Sequence, residues 1–264
     1  MNINGNINGG KSGAYDFRVY PFHCDFSSRI MLGHLGNDLL NAADFHSNDN
    51  GYGVTTLQKM NRTWVLSRLA IEMDEMPEAY APFQIETWID SALRYFTSRD
   101  FTVTGKDGKV YGHAHSVWAM IDTVTRQPCD IFTIDDGAIL NFVDADRQPP
   151  IAKCGRVAVG KNAPYVRTID TYYSDIDVNG HMNSIRYIEH VMDLFPLDYL
   201  RTHRIKRFEV AYVAETHQGD KLHIYKEETA PGCFAVRLTR SAPGSDEQTE
   251  VCRCSIMFVK TAEL

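Results

Sequence analysis

No stretch of the 264 residues approaches 18 consecutive apolar positions, no C-x-x-C pair occurs, and basic residues are outnumbered 27 to 34 by acidic ones. Without a long apolar run the sequence offers no bilayer-spanning helix, and no apolar leader follows its start. A net charge of -7 removes the basic stripe that tracking a phosphate backbone requires. The six cysteines, at 24, 129, 154, 233, 252 and 254, are scattered, which spells neither a disulfide framework nor a paired-cysteine zinc site. Cys252 and Cys254 sit one residue apart in a strand pattern, the usual spacing of two buried thiols on one face. With 44% hydrophobic and 23% charged residues, the expectation is a globular protein of the reducing cytoplasm that neither inserts into a membrane nor binds nucleic acid.

The opening MNINGNINGGKSG is rich in Asn and Gly and reads as a disordered tail over residues 1–13. It contains a formal phosphate-loop match, Gly5-x-x-x-x-Gly10-Lys11-Ser12. That loop works by presenting backbone N–H groups between a buried strand and a helix start. Here only MNIN precedes the first glycine and a strand-like alternation follows the serine, so the match is compositional.

One pattern is used twice along the chain. Residues 14–26 alternate like a strand, and residues 29–45 switch to helical spacing, with Ile30, Leu32, Leu35, Leu39, Leu40 and Ala43 on one stripe. Strand candidates follow at 63–73, 83–93, 99–104 and 110–122, with a short run near Ile131. The order then repeats: alternation at 165–173, a helix expected over 181–195, and strands at 206–214, 221–228, 233–241 and 249–260. One helix followed by several antiparallel strands buries its apolar stripe only if the sheet curls around it. The fold class expected is therefore α+β, a tandem (double) hot-dog of two helix-wrapping antiparallel sheets. The expected division is a first hot-dog domain over 14–140, a linker over 141–162 containing Pro149-Pro150, and a second hot-dog domain over 163–264.

The densest polar cluster is SDIDVNGHMNSIRYIEH, where Asp177, Asn179 and His181 alternate as strand gives way to helix. In an extended segment that spacing points all three side chains one way. A helix start adds unpaired N–H groups suited to a carbonyl oxygen gaining charge, and Gly180 permits close approach to the backbone. The bland alternative is a helix cap with an exposed histidine. Against it, the first half carries Asp25-Phe26-Ser27-Ser28-Arg29 at the corresponding place, so the fold does not demand Asn and His there. His113 and His115 share a strand face, but no third ligand accompanies them, and no metal or cofactor is expected.

DIDVNGHMNSIRYIEHVMD resembles the signature of plant and bacterial acyl-acyl carrier protein (acyl-ACP) thioesterases, D-x-D-x-N-x-H-x-N-N-x-x-Y. The likeness extends to GYGVTTLQKMNRTWVLSRLAIEMD, IETWIDSALRYFTSRDF and HSVWAMIDTVTRQP, and covers nearly the whole chain from Tyr15. Carried over residue by residue, the family's catalytic Asp, Asn and His match Asp177, Asn179 and His181. Its Y-x-x-E-C element matches Tyr212 to Thr216, which assigns the catalytic glutamate to Glu215. Two departures are Ser184, where many members have a second Asn, and Thr216, where plant members have cysteine. A threonine hydroxyl is a far poorer nucleophile than a thiolate, so the resemblance does not support a Cys-His scheme here.

The resemblance implies hydrolysis of the thioester joining a fatty acyl chain to acyl carrier protein, ending fatty acid synthesis. On this reading Glu215 activates water, Asn179 with a backbone N–H near Gly180 or His181 holds the carbonyl, and Asp177 orients its neighbours. The first half lacks this set and is expected to shape the acyl pocket from among Ile30, Met31, Leu32, Leu35, Trp64, Leu66, Trp88, Phe96 and Trp118. The basic run Arg201, His203, Arg204, Lys206 and Arg207 suits an acidic carrier, and a homodimer is left open. The competing readings are an acyl-coenzyme A thioesterase on the same fold and a non-catalytic acyl-binding hot-dog protein. The latter is expected to lose Glu215 or the Asp-Asn-His trio, all of which are present.

Overall fold

A computed structural model describes residues 10–261, which divide into two units, the first ending at Cys154 and the second beginning at Gly155. In the first unit the alternating segments become β1 (Ser12–Arg18), β2 (Arg62–Met73), β3 (Pro82–Ala92), β4 (Phe96–Gly105) and β5 (Val110–Asp122). The 3.6-period segment becomes α1 (Leu32–Asp49), followed by the single turn α2 (Val54–Leu57). In the second unit β6 (Tyr165–Asp170) precedes α3 (Ser184–Met192) and α4 (Leu197–Thr202). The strands β7 (His203–Tyr212), β8 (Lys221–Ala230), β9 (Cys233–Ser241) and β10 (Thr249–Lys260) complete it.

Within each unit every neighbouring pair is antiparallel. The first sheet runs β1-β3-β4-β5-β2 and the second β6-β8-β9-β10-β7, the same order once β1 is matched to β6 and β2 to β7. A helix on a five-stranded antiparallel sheet, used twice in tandem, is the expected double hot-dog fold. Its cores follow the sequence stripes. Leu32, Leu35, Leu39 and Ala43 of α1 are buried with Leu69 and Ile71 of β2, and Ile185, Ile188 and Val191 of α3 with Phe208 and Val210 of β7. Each of these Leu, Ile, Val and Phe side chains contributes roughly 1.5–3 kcal/mol by leaving water. Cys252 and Cys254 are both buried on β10 with sulfur atoms 3.8 Å apart, and none of the six cysteines is in a disulfide.

Three local expectations need correction. Residues 1–9 of the anticipated tail, and with them most of the phosphate-loop match, lie outside the described residues. Ser12 and Gly13, however, open β1 by pairing with Trp88 and Thr87. Near Ile131 the chain forms a 3₁₀ turn, Ile131–Thr133, because Asp130 accepts from the Phe132 N–H and caps it. Both helices begin three residues later than their patterns suggest, at Leu32 and Ser184, because a hairpin turn occupies the residues before each.

The expected linker, 141–162, contains the division between the units, yet its first part is tied to the first sheet. On β3, Thr87 and Ile89 face α1, so alternation sends Glu86, Trp88 and Asp90 to the other face. There Arg147 donates two 2.8 Å hydrogen bonds to Glu86 and lies 3.4 Å over the Trp88 ring, a stacked cation. Lys153 pairs with Asp90, and the Cys154 N–H donates to His115 Nδ1 at 3.2 Å. Beneath this strap Asp100 is fully buried with neither carboxylate oxygen hydrogen-bonded. Burial, helped by the charge of Asp90, pushes its carboxyl up to about 7.

Candidate active site

Asp177, Asn179 and His181 are brought together, but not in the extended run that their spacing suggests. The Asp177 N–H donates to the His181 carbonyl (2.9 Å) and the Gly180 N–H to the Asp177 carbonyl (3.0 Å), a three-residue hairpin loop. Two features reverse the chain. The Asp177 carboxylate accepts from the Asn179 N–H (2.8 Å), an Asx turn, and Gly180 takes a positive φ of 78° that a side chain disfavours. Ile176 and Met182 then bridge, and the Asn183 side chain caps α3 by accepting from the Ile185 N–H at 2.8 Å. The helix cap thus falls at Asn183, beyond the histidine, and the site's geometry comes from the turn.

The turn delivers His181 to Glu215. His181 Nε2 lies 3.2 Å from Glu215 Oε2, both side chains part-exposed at 26% and 37%. Glu215 stands three residues past the end of β7, in a loop fastened at both ends: the Met182 N–H donates to the Thr216 carbonyl (2.8 Å), and the Thr171 N–H to the Asp220 carbonyl (3.1 Å). Asn179 is exposed, with its amide nitrogen 3.5 Å from Asp177 Oδ2. Of the two backbone donors considered for a carbonyl, the Gly180 N–H is spent on Asp177. The His181 N–H has no backbone acceptor among the described residues.

Thr216 is fully buried, and its hydroxyl accepts a 2.7 Å hydrogen bond from Tyr187. It is a packing residue of the α3–loop junction, out of reach of solvent. Tyr187 and Tyr212 hold this floor, with Tyr212 donating to the Ser184 carbonyl at 2.7 Å. Burial pushes both phenols above their ordinary range.

Sequence reasoning missed His217. Its ring meets His181 edge-on at 5.1 Å, and ligand atoms of His181, Glu215 and His217 all lie within 4.8 Å of one another. The signal was available, since Glu215 and His217 are two apart, the spacing that puts side chains on one side wherever a chain is extended. The same i, i+2 argument drew attention to His113 and His115, which take separate partners, Thr102 and Cys154. Asp220 sits behind His217, accepting from its backbone N–H (2.9 Å) and from Arg240 (3.2 Å).

The first unit holds a cleft of about 450 Å3, counting its open mouth, lined by Tyr52, Val54, Trp64, Ile89 and Trp118. Arg99 forms its polar side. Buried, it donates to Thr87, Ser47 and Tyr52 and contacts His46 Nδ1 at 3.0 Å. Burial and this guanidinium push His46 down to about 3, so its ring stays neutral and can accept. Of the other apolar residues considered for a pocket, Ile30, Leu32, Leu35, Leu66 and Trp88 are core, while Met31 and Phe96 are exposed.

Comparison with known proteins bears on both units. A family model for the acyl-ACP thioesterase N-terminal domain matches residues 11–135, and one for the C-terminal domain matches residues 161–262. A palmitoyl-acyl carrier protein thioesterase of Arabidopsis thaliana is 28% identical over 211 residues, 76% of this chain and 51% of that protein. An oleoyl-acyl carrier protein thioesterase of the same plant is 27% identical, over 72% of this chain and 54% of its own length. The chain thus spans about half the length of these plant relatives. The 12:0-ACP thioesterase of Umbellularia californica shares the fold, with a TM-score of 0.80 over 96% of this chain and 98% of its own at 20% identity. An acyl-ACP thioesterase of Bacteroides thetaiotaomicron superposes with a TM-score of 0.86 over 94% of this chain and 98% of its own, at 47% identity. Identity of that degree over nearly the full length of both chains, with the two domain models matched in order, means that the chain belongs to the acyl-ACP thioesterase family.

Proposed function

We propose that this protein hydrolyses acyl-ACP to free fatty acid and carrier thiol, using the turn at 177–181 and Glu215. The observation that carries this reading is the 3.2 Å contact between His181 and Glu215 beside the hairpin that presents Asn179. Glu215 takes the proton of an attacking water as general base. His181 holds the carboxylate and the water in line. The developing oxyanion is met by the Asn179 amide and the His181 N–H, both carried by one turn. Asp177 is a positioning residue, because its carboxylate fixes the turn that sets Asn179. Thr216, buried and hydrogen-bonded, contributes no nucleophile.

The first unit's cleft, flanked by Trp64 and Trp118, is proposed to receive the acyl chain. For the carrier we propose the exposed Arg204 and its neighbour Lys206 on β7. The test is side-by-side turnover of acyl-ACP and acyl-coenzyme A panels by the wild type and by Arg204→Glu/Lys206→Glu. A higher KM for the carrier substrates alone is expected. An equal rise for both would remove the docking proposal, and preference for coenzyme A would remove the substrate proposal.

A further inference from the structure

His181, Glu215 and His217 present two imidazoles and a carboxylate whose ligand atoms lie within 4.8 Å of one another. Tetrahedral zinc, with ligand bonds of about 2.0–2.2 Å, needs ligand atoms roughly 3.3–3.6 Å apart. The His181–Glu215 edge already measures 3.2 Å. The third corner is adjustable, because the His217 side chain is half exposed while its backbone is held. Its N–H donates to Asp220 (2.9 Å), and its carbonyl accepts from the Thr171 hydroxyl (2.7 Å). Closing the triangle therefore calls on that side chain and not on the loop that carries it. Behind the ring, Asp220 Oδ2 lies 3.9 Å from Nδ1, placed to support a histidine that ligates through Nε2.

We infer that these three residues form a site for a divalent transition metal of the zinc, cobalt or nickel kind, and that filling it blocks turnover. Two imidazoles select against magnesium and calcium, which take oxygen ligands. Binding consumes the Glu215 carboxylate and the Nε2 lone pair of His181, leaving no base for water. The site stands on geometry alone, whereas the block rests on the catalytic reading above. The first unit offers an internal contrast: Arg29, Met76 and Glu78 occupy the matching places and cannot chelate a cation.

The experiment uses the full, tag-free chain stripped with a chelator, and Co2+ alone as the probe. The visible d–d bands of low-coordinate Co2+ are expected in the wild type and lost in His217→Ala and in Glu215→Gln, with unchanged thermal melts. Zn2+ affinity by competition should fall by at least 10–100-fold in either variant, the range seen even for loss of supporting partners. Zn2+ should inhibit the wild type reversibly, measured against each protein's own chelator-treated rate. Absence of bands in the wild type, or bands that persist in both variants, overturns the site. Bands lost in the variants while Zn2+ leaves wild-type turnover intact would keep the site and overturn the block, and with it the role of Glu215.

Discussion

Residues 25–29 and 177–181 make one turn from two sets of side chains. In each, an aspartate N–H bonds the carbonyl four residues on (2.9 Å both times), and its carboxylate accepts the N–H two residues on (2.8 Å both times). The fourth residue takes a positive φ, 59° at Ser28 and 78° at Gly180. The turns dock alike as well, since the N–H of Ile30 donates to Pro77 and that of Met182 to Thr216. In this register Arg29 corresponds to His181, Met76 to Glu215 and Glu78 to His217. Arg29 is bound to Glu75 (2.8 Å), Glu78 (3.0 Å) and the Met76 carbonyl (2.6 Å), an ion-pair clasp. The fold therefore requires the turn and its aspartate, while the Asn, His and Glu of the second unit are additions to it. Asp177 belongs to the shared scaffold.

The largest effect expected from breaking the second turn is on rate. His181→Ala and Asn179→Ala should each lower kcat by on the order of 10²–10⁴ with the thermal melt little changed. Ser27→Ala, the first-unit counterpart of Asn179, should leave kcat near wild type. Equal losses from Ser27→Ala and Asn179→Ala would make the turn's rigidity, and not the amide, the source of the effect.

Next in size is buried charge in the first unit. The Asp100 carboxyl, ordinarily near 3.8, sits at about 7 in the fold, so the folded state favours its neutral form. Its contribution is full below pH 3.8 and is lost as pH rises through 7. Asp100→Asn should therefore stabilise more at pH 8 than at pH 5, by on the order of 2–4 kcal/mol. Melts showing the same difference at both pH values would contradict this.

Thr216→Ala strands the buried Tyr187 hydroxyl and should cost about 1–3 kcal/mol of stability while turnover stays within about threefold. A loss of rate matching that of His181→Ala would restore Thr216 as a participant. The smallest effect is on selectivity. Trp118→Ala lengthens the first unit's cleft, and two further methylenes at roughly 0.8 kcal/mol each shift preference about fifteenfold toward longer chains. An unchanged released-acid profile would place the acyl chain elsewhere.

The strands were legible because period-two alternation is a physical consequence of one buried face. β5, β9 and β10 match their patterns to the residue. Helix starts were not, since the turn before each is set by an Asx contact and a positive φ, which leave no periodicity. For the same reason Asp177, Asn179 and His181 could be identified as a group while their shared direction was misread. Glu215 was reached through resemblance, because a single carboxylate in a loop looks like any other. Its neighbour His217 carries the same two-residue spacing as His113 and His115, so spacing alone does not single it out. Leu35, considered for the acyl pocket, is core. An apolar stripe shows that a face is covered and not what covers it.

A turn common to both units carries the proposed chemistry in the second unit only. The single-turnover hydrolysis rate of Glu215→Gln beside that of Arg29→Ala, with thermal melts of both, tests this. The prediction for Glu215→Gln is a loss of at least about 100-fold with the melt preserved. Arg29→Ala should keep its rate within about twofold while losing about 1 kcal/mol of stability from the part-exposed clasp. A Glu215→Gln rate within about tenfold of wild type, or an Arg29→Ala protein that is folded but inactive, would contradict it.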